Sequence, residues 1–193
     1  RNRCKAQRAD VVLAFDTSGS MQQPAGDGTN RTKMEAAVAA GRSFLNNMTF
    51  PGDQAAIVSF NQRSKVIRGL TGSRGELLFG LNEITTANGT RIDLGIESSV
   101  SELLGPRRIQ ANNPVIILLT DGLPTAGTEG EVLRDAGTAR GLGFNVFTLG
   151  LGPDVDRLLM GLVAGSQDRS FFAPNAAALN QIYDGIAGKA LCE

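Results

Sequence analysis

The chain has 193 residues, with 19 basic and 19 acidic side chains, 24 glycines, two cysteines and no histidine or tryptophan. That length fits one domain, which would bury roughly 70% of its unfolded surface and so build a sizeable core without staples. Zero formal charge argues against a nucleic-acid footprint, no apolar run approaches the ~18 residues of a membrane span, and the lack of histidine excludes Ser-His-Asp and Cys-His catalysis and His-ligated zinc.

Val11-Val12-Leu13-Ala14-Phe15 reads as a strand buried on both faces, and it ends abruptly in the polar run Asp16-Thr17-Ser18-Gly19-Ser20. A loop follows from Gln22 to Arg31. Thr32-Lys33-Met34-Glu35 has the pattern of a capping box, and Met34, Ala37, Val38, Gly41, Phe44, Leu45 and Met48 recur at helical spacing behind it. Gln54 to Phe60 is a second strand, and Ser64 to Leu70 a third whose tight connection favours an antiparallel hairpin. Helices are predicted from Ser73 to Ile84 and from Thr90 to Leu104. Pro114 to Thr120, with Val115-Ile116-Ile117-Leu118-Leu119 inside it, is the most hydrophobic strand. A helix capped by Thr128 and running to about Leu142, a strand from Phe144 to Leu149, a helix from Asp154 to Ala164, a short strand from Ser170 to Ala173 and a last helix from Asn175 to Leu191 complete the chain. Strands alternating with helices specify an α/β fold: a doubly wound, mostly parallel six-stranded sheet with one short antiparallel strand and helices on both faces. We expect a single domain over 1–193, with a core from about 10 to 191.

In such sheets ligands bind at the carboxyl ends of the strands. Three polar segments should meet there: Asp16-Thr17-Ser18-Gly19-Ser20, Gly89-Thr90 before a helix, and Thr120-Asp121-Gly122 after the Ile-Leu strand. Between them they offer two carboxylates and several hydroxyls, and an all-oxygen set suits a hard cation. Two carboxylates are too few to fill a calcium site, and they fit Mg2+ or Mn2+ keeping waters or an outside ligand. Gly19 would let the backbone turn so that Ser18 and Ser20 face one ion. Each piece also has an ordinary reading: Asp16 as a cap or turn former, Thr90 as an N-cap with Asp93 completing a capping box, Asp121-Gly122 as a turn.

In order and spacing, Asp16-Thr17-Ser18-Gly19-Ser20-Met21, Gly89-Thr90-Arg91-Ile92-Asp93 and Leu118-Leu119-Thr120-Asp121-Gly122 resemble the three parts of the metal-ion-dependent adhesion site of von Willebrand factor type A domains. The resemblance runs roughly from Asp10 to Leu191. It implies a Rossmann-like fold and assigns Asp16, Ser18, Ser20, Thr90 and Asp121 to the metal. The two serine hydroxyls would ligate directly, and the threonine and the aspartates directly or through water. A Glu or Asp carboxylate of a protein partner would take the remaining position. The function so implied is a non-enzymatic, metal-dependent adhesion or protein-binding module. The other reading is a structural or assembly module that has kept the motif without using it.

Enzymatic readings fit worse. Asp16-Thr17-Ser18-Gly19 has Ser18 inserted where an aspartic-protease loop reads Asp-Thr-Gly, and no second copy exists. A phosphoryl-transfer site with its Asp after the first strand would need a second Asp where Ser18 stands. Gly150-Leu151-Gly152-Pro153 lacks the third glycine of a dinucleotide fingerprint.

Cys4 and Cys192 lie near the two ends of the sequence. Domain termini often sit close together, so a bridge would clasp them and place the protein in an oxidising compartment, secreted or at a cell surface, as a fragment of a larger chain. Two unpaired thiols are the alternative. The loop from Gln22 to Arg31 adjoins the site, with Asp27 and Arg31 as candidate specificity contacts or as parts of a solvated turn. Asn30, Asn47 and Asn88 head Asn-x-Thr sequons, and a glycan on Asn88 would crowd Thr90. Nothing in the sequence demands an oligomer.

Overall fold

A computed structural model of the chain describes residues 7–191. Cys4 and Cys192 lie outside the described residues. The six strands are β1 (Ala9–Asp16), β2 (Gln54–Phe60), β3 (Ser64–Thr71), β4 (Asn113–Thr120), β5 (Asn145–Leu151) and β6 (Ser170–Ala173). They form one sheet in the order β3-β2-β1-β4-β5-β6. Every pairing is parallel except β2 with β3, which is antiparallel as the short connection requires. The helices are α1 (Lys33–Asn46), α2 (Arg74–Asn82), α3 (Ile92–Leu104), α4 (Glu129–Gly141), α5 (Arg157–Ala164) and α6 (Leu179–Ala190).

β1 is buried along its whole length, and its side chains divide by the strand period of two. Val11, Leu13 and Phe15 join a core with Phe44 and Leu45 of α1, Leu77 and Leu81 of α2, and Tyr183 and Ile186 of α6. Val12 and Ala14 join a second core with Ile96 of α3, Val132 of α4 and Val163 of α5. The sheet therefore carries three helices on each face. This explains why its central strands are unbroken apolar runs rather than alternating ones. Among the described residues no helix is long and apolar enough to cross a membrane.

β1 lies between β2 and β4, and the chain leaves β1 toward one face and β4 toward the other. The carboxyl ends of β1 and β4 are therefore the topological switch point, where doubly wound sheets open a crevice. Phe15 pairs with Leu119, so Asp16 and Thr120 emerge side by side.

Helix starts differ from the sequence expectation where local polar contacts decide them. α3 begins at Ile92 behind Arg91, and Asp93 is not the second half of a capping box. Its carboxylate accepts from the Arg91 guanidinium at 2.6 Å instead. α5 starts at Arg157 because Asp156 accepts from the Leu159 N–H. α6 is preceded by a separate 3-10 turn over Ala176–Ala178. At α1 the expected box is present: the Thr32 hydroxyl accepts from the Glu35 N–H, and Glu35 accepts from the Thr32 N–H. Thr32→Ala is expected to cost about 1 kcal/mol and to lower the melting temperature by about 2–4 °C, read by thermal denaturation.

Candidate metal centre

The loop after β1 is held from behind. The Thr17 N–H and hydroxyl both donate to the carbonyl of Phe60 at the end of β2, at 2.8 and 3.0 Å. The chain then makes a 3-10 turn over Gly19–Gln22, anchored by Met21, which is fully buried. Gly19 does not take the conformational role expected of it. Positive φ occurs at seven other glycines but not there, and a Cβ on Gly19 would meet only Asn88 Oδ1 at 3.5 Å. The turn, not a left-handed glycine, aims Ser18 and Ser20 the same way.

Asp16, at 0% exposure, is the buried floor of the site. Its Oδ1 accepts from the Ser18 N–H at 2.8 Å. Its Oδ2 accepts from the Thr120 hydroxyl at 2.7 Å and the Asp121 N–H at 3.4 Å. Burial pushes the carboxyl up to about 6 from its ordinary 3.8, with the Asp121 charge adding, while the hydrogen bonds from Ser18 and Thr120 oppose the rise. Above the floor, the Ser18 and Ser20 hydroxyl oxygens lie 2.9 Å apart. Both hydroxyls donate to Asp121 Oδ1, from 3.4 Å for Ser18 and 2.8 Å for Ser20.

Thr90 reaches the same edge through its backbone. Gly89, at φ +91°, makes the bend, and a Cβ there would lie 2.8 Å from the Gln62 backbone nitrogen. The segment is tied to the loop after β1 by Ala87 N–H to the Thr17 carbonyl, and to the residue after β2 by Arg91 N–H to the Asn61 carbonyl. It is tied to the loop after β4 by Thr125 N–H to the Thr90 carbonyl at 2.9 Å and by Thr90 N–H to the Thr125 hydroxyl at 3.2 Å. The Thr90 hydroxyl is outside the hydrogen-bond network among the described residues, whereas those of Ser18 and Ser20 are at its centre. Thr90 is thus fixed in place with its donor oxygen uncommitted.

Asp27 and Arg31 are turned toward each other. Asp27 accepts from the Thr29 N–H and hydroxyl through one oxygen and from Arg31 Nε at 2.7 Å through the other. The Thr29 hydroxyl and then Arg31 hold its carboxyl down at about 2. The pair braces the loop internally, and the loop is closed by Ala25 N–H to the Arg31 carbonyl and Lys33 N–H to the Gln23 carbonyl.

The sequence reading missed Lys33, whose Nζ lies 3.1 Å from Asp121 Oδ2. A signal was present: a cation at the first position of a helix opposes the helix dipole. It also missed Thr120 as the residue that satisfies Asp16, and Thr125 as the clamp on Thr90.

The donor chemistry fits a small hard cation. An all-oxygen set with only two carboxylates suits Mg2+ or Mn2+ keeping waters or an outside ligand. The spacings of 2.9 Å between the serines and 2.8 Å from Ser20 to Asp121 are those of hydroxyl hydrogen bonds, and they gather the three oxygens closely enough to face one ion. Among the described residues no three His, Cys, Asp or Glu side chains cluster as a metal set.

Solved structures with this fold include proximal thread matrix protein 1 from the mussel byssus, at TM-score 0.84 and 21% identity over 97% of this chain and 47% of that one. A second structure of that protein has a zinc-occupied MIDAS motif. The chain thus spans about half the length of the mussel protein. The von Willebrand factor domain of the type V pilus tip protein Mfa5 from Porphyromonas gingivalis matches at TM-score 0.80 and 16% identity over 95% of both chains. Manganese-loaded TRAP protein from Plasmodium vivax matches at TM-score 0.72 and 17% identity over 92% of this chain and 73% of that one. At such identities the likeness concerns the fold. The family model of the von Willebrand factor type A domain matches residues 11–123, more than half of the chain, and the chain belongs to that family.

Proposed function

We propose that the protein is a non-enzymatic, metal-dependent binding module that takes an acidic side chain of a protein partner. The observation that carries this reading is the convergence of Ser18 Oγ, Ser20 Oγ and Asp121 Oδ1 within 2.8–3.4 Å of one another at the switch point of the sheet. The two serine hydroxyls would hold Mg2+ or Mn2+ directly, with Ca2+ disfavoured because only two carboxylates are at hand. Asp16, Thr90 and Asp121 would complete the shell directly or through water. When bound, the ion supplies an electrophilic position for a partner's Glu or Asp carboxylate. The chain's own residues orient that position: Asp16 holds the Ser18 backbone, Thr120 holds Asp16, and Thr125 holds Thr90. With no histidine in the chain, the serine hydroxyls have no imidazole base to make them nucleophiles. Nothing in the geometry calls for a second copy, and we take the isolated domain to be monomeric.

The Asp27–Arg31 pair would act by shaping the rim beside the site, not by offering free charges. A secreted or surface setting is supported by the two cysteines and by the byssus and pilus-tip proteins among the matches. The Gln7 N–H donates to the Leu191 carbonyl at 3.1 Å, which supports pairing of Cys4 with Cys192. One observation favours the alternative of a structural module with an unused motif: the Lys33 ammonium satisfies Asp121 without any metal.

The two readings separate in thermal melts in EDTA and in millimolar Mg2+ or Mn2+. Metal binding is expected to add about 2.7 kcal/mol at a hundredfold excess over the dissociation constant, and the gain should vanish in Asp121→Ala. No shift in the wild type would favour the structural module. The Asp16 carboxyl titrates higher in the folded protein than in the unfolded chain. Metal-free protein should therefore lose about 2–3 kcal/mol as pH rises from about 4 to about 6, a loss absent in Asp16→Asn. Metal stabilisation should fade as pH falls through the same window, because the ion needs the carboxylate. For the clasp, a thiol assay on unfolded, non-reduced protein should find no free cysteine, and reduction should lower stability by up to about 5 kcal/mol.

A further inference from the structure

Lys33 stands where it does little for its own helix. Thr32 and Glu35 already cap α1, and an ammonium in the first turn opposes the dipole. The side chain crosses the crevice instead. Its Nζ lies 3.1 Å from Asp121 Oδ2, with the Lys33 side chain 12% exposed and that of Asp121 fully buried. Asp121 therefore divides its oxygens, Oδ1 to the two serine hydroxyls and Oδ2 to the ammonium. Beyond β5, Gly152 leaves room for the lysine head, and even a Cβ there would stay 3.8 Å from Nζ. The nearby cations Arg31 and Arg91 are engaged elsewhere, on Asp27 and Asp93.

We propose that Lys33 is a tethered cation that makes metal binding depend on the acidic partner. The inference rests on the metal-binding reading above. Asp16, Asp121 and Lys33 together carry one net negative charge. A divalent ion turns that into one net positive charge, and a partner carboxylate brings it to zero. Without Lys33 the ion alone would neutralise the site, and a carboxylate would leave it negative. The lysine thus weakens the metal taken alone and strengthens the carboxylate that follows. By linkage, the carboxylate then tightens the metal by the same factor. Electrostatic complementarity of this kind selects for an acidic partner against a neutral one.

The test is Mn2+ binding, followed by calorimetry and by the spin-resonance signal of free Mn2+, in the wild type, Lys33→Gln, Lys33→Met, Lys33→Arg and Asp121→Ala. Each protein is titrated in chloride buffer and again with acetate as the carboxylate probe. Both neutral variants should bind Mn2+ about tenfold tighter than the wild type in chloride. Acetate should tighten Mn2+ binding by a smaller factor in the neutral variants than in the wild type, and Lys33→Arg should behave as the wild type. Wild-type or weaker Mn2+ affinity in the neutral variants, or an equal acetate effect, would overturn the role of Lys33 while leaving the metal site standing, provided that Asp121→Ala loses binding. Absence of Mn2+ binding in every protein would overturn both readings.

Discussion

A carboxylate buried at the end of the central strand has to be satisfied, and the groups that satisfy Asp16 are the frame of the site. Its two oxygens take the Ser18 N–H, the Thr120 hydroxyl and the Asp121 N–H. Those contacts need β1 and β4 to be adjacent and parallel, in the register that sets Phe15 against Leu119. A slip of one residue would turn every β1 side chain to the other face and would leave Asp16 without the Thr120 hydroxyl. Core and site are therefore specified together. The two apolar clusters that lock the register also bring Ser18, Ser20 and Asp121 to one point.

The architecture was legible because burial on both faces leaves an unmistakable pattern. Val11 to Phe15 and Val115 to Leu119 are uninterrupted apolar runs, and each ends in a polar segment that the fold brings to the same edge. The Thr32–Glu35 box was legible because it is local. What escaped the sequence reading depends on pairings that spacing does not encode. Lys33 and Asp121 are 88 residues apart, and a lysine inside a capping box reads as a solvated helix residue. Asp27 and Arg31 read as specificity contacts or as parts of a solvated turn, but at this separation along a loop they close on each other. Asp93 matched a capping pattern, yet the guanidinium two residues earlier competed more strongly for its carboxylate.

The charge arrangement follows from the same economy. The proposed metal centre would use two carboxylates and leave the rest of its donor work to hydroxyls. Hydroxyls bring oxygen without charge, so a divalent ion held by them keeps most of its attraction for an outside anion. In the role we propose for it, the Lys33 ammonium would push the balance further in that direction.

The most direct test of the metal centre is the anomalous scattering of Mn2+ in crystals of the protein. We predict a single strong peak in the crevice at the carboxyl ends of β1 and β4, within about 2.3 Å of both Ser18 Oγ and Ser20 Oγ. Asp16, Thr90 or Asp121, or waters held by them, should complete its shell. A crevice without manganese, or manganese bound elsewhere while the serine hydroxyls stay on Asp121, would contradict the assignment of this site as a metal centre.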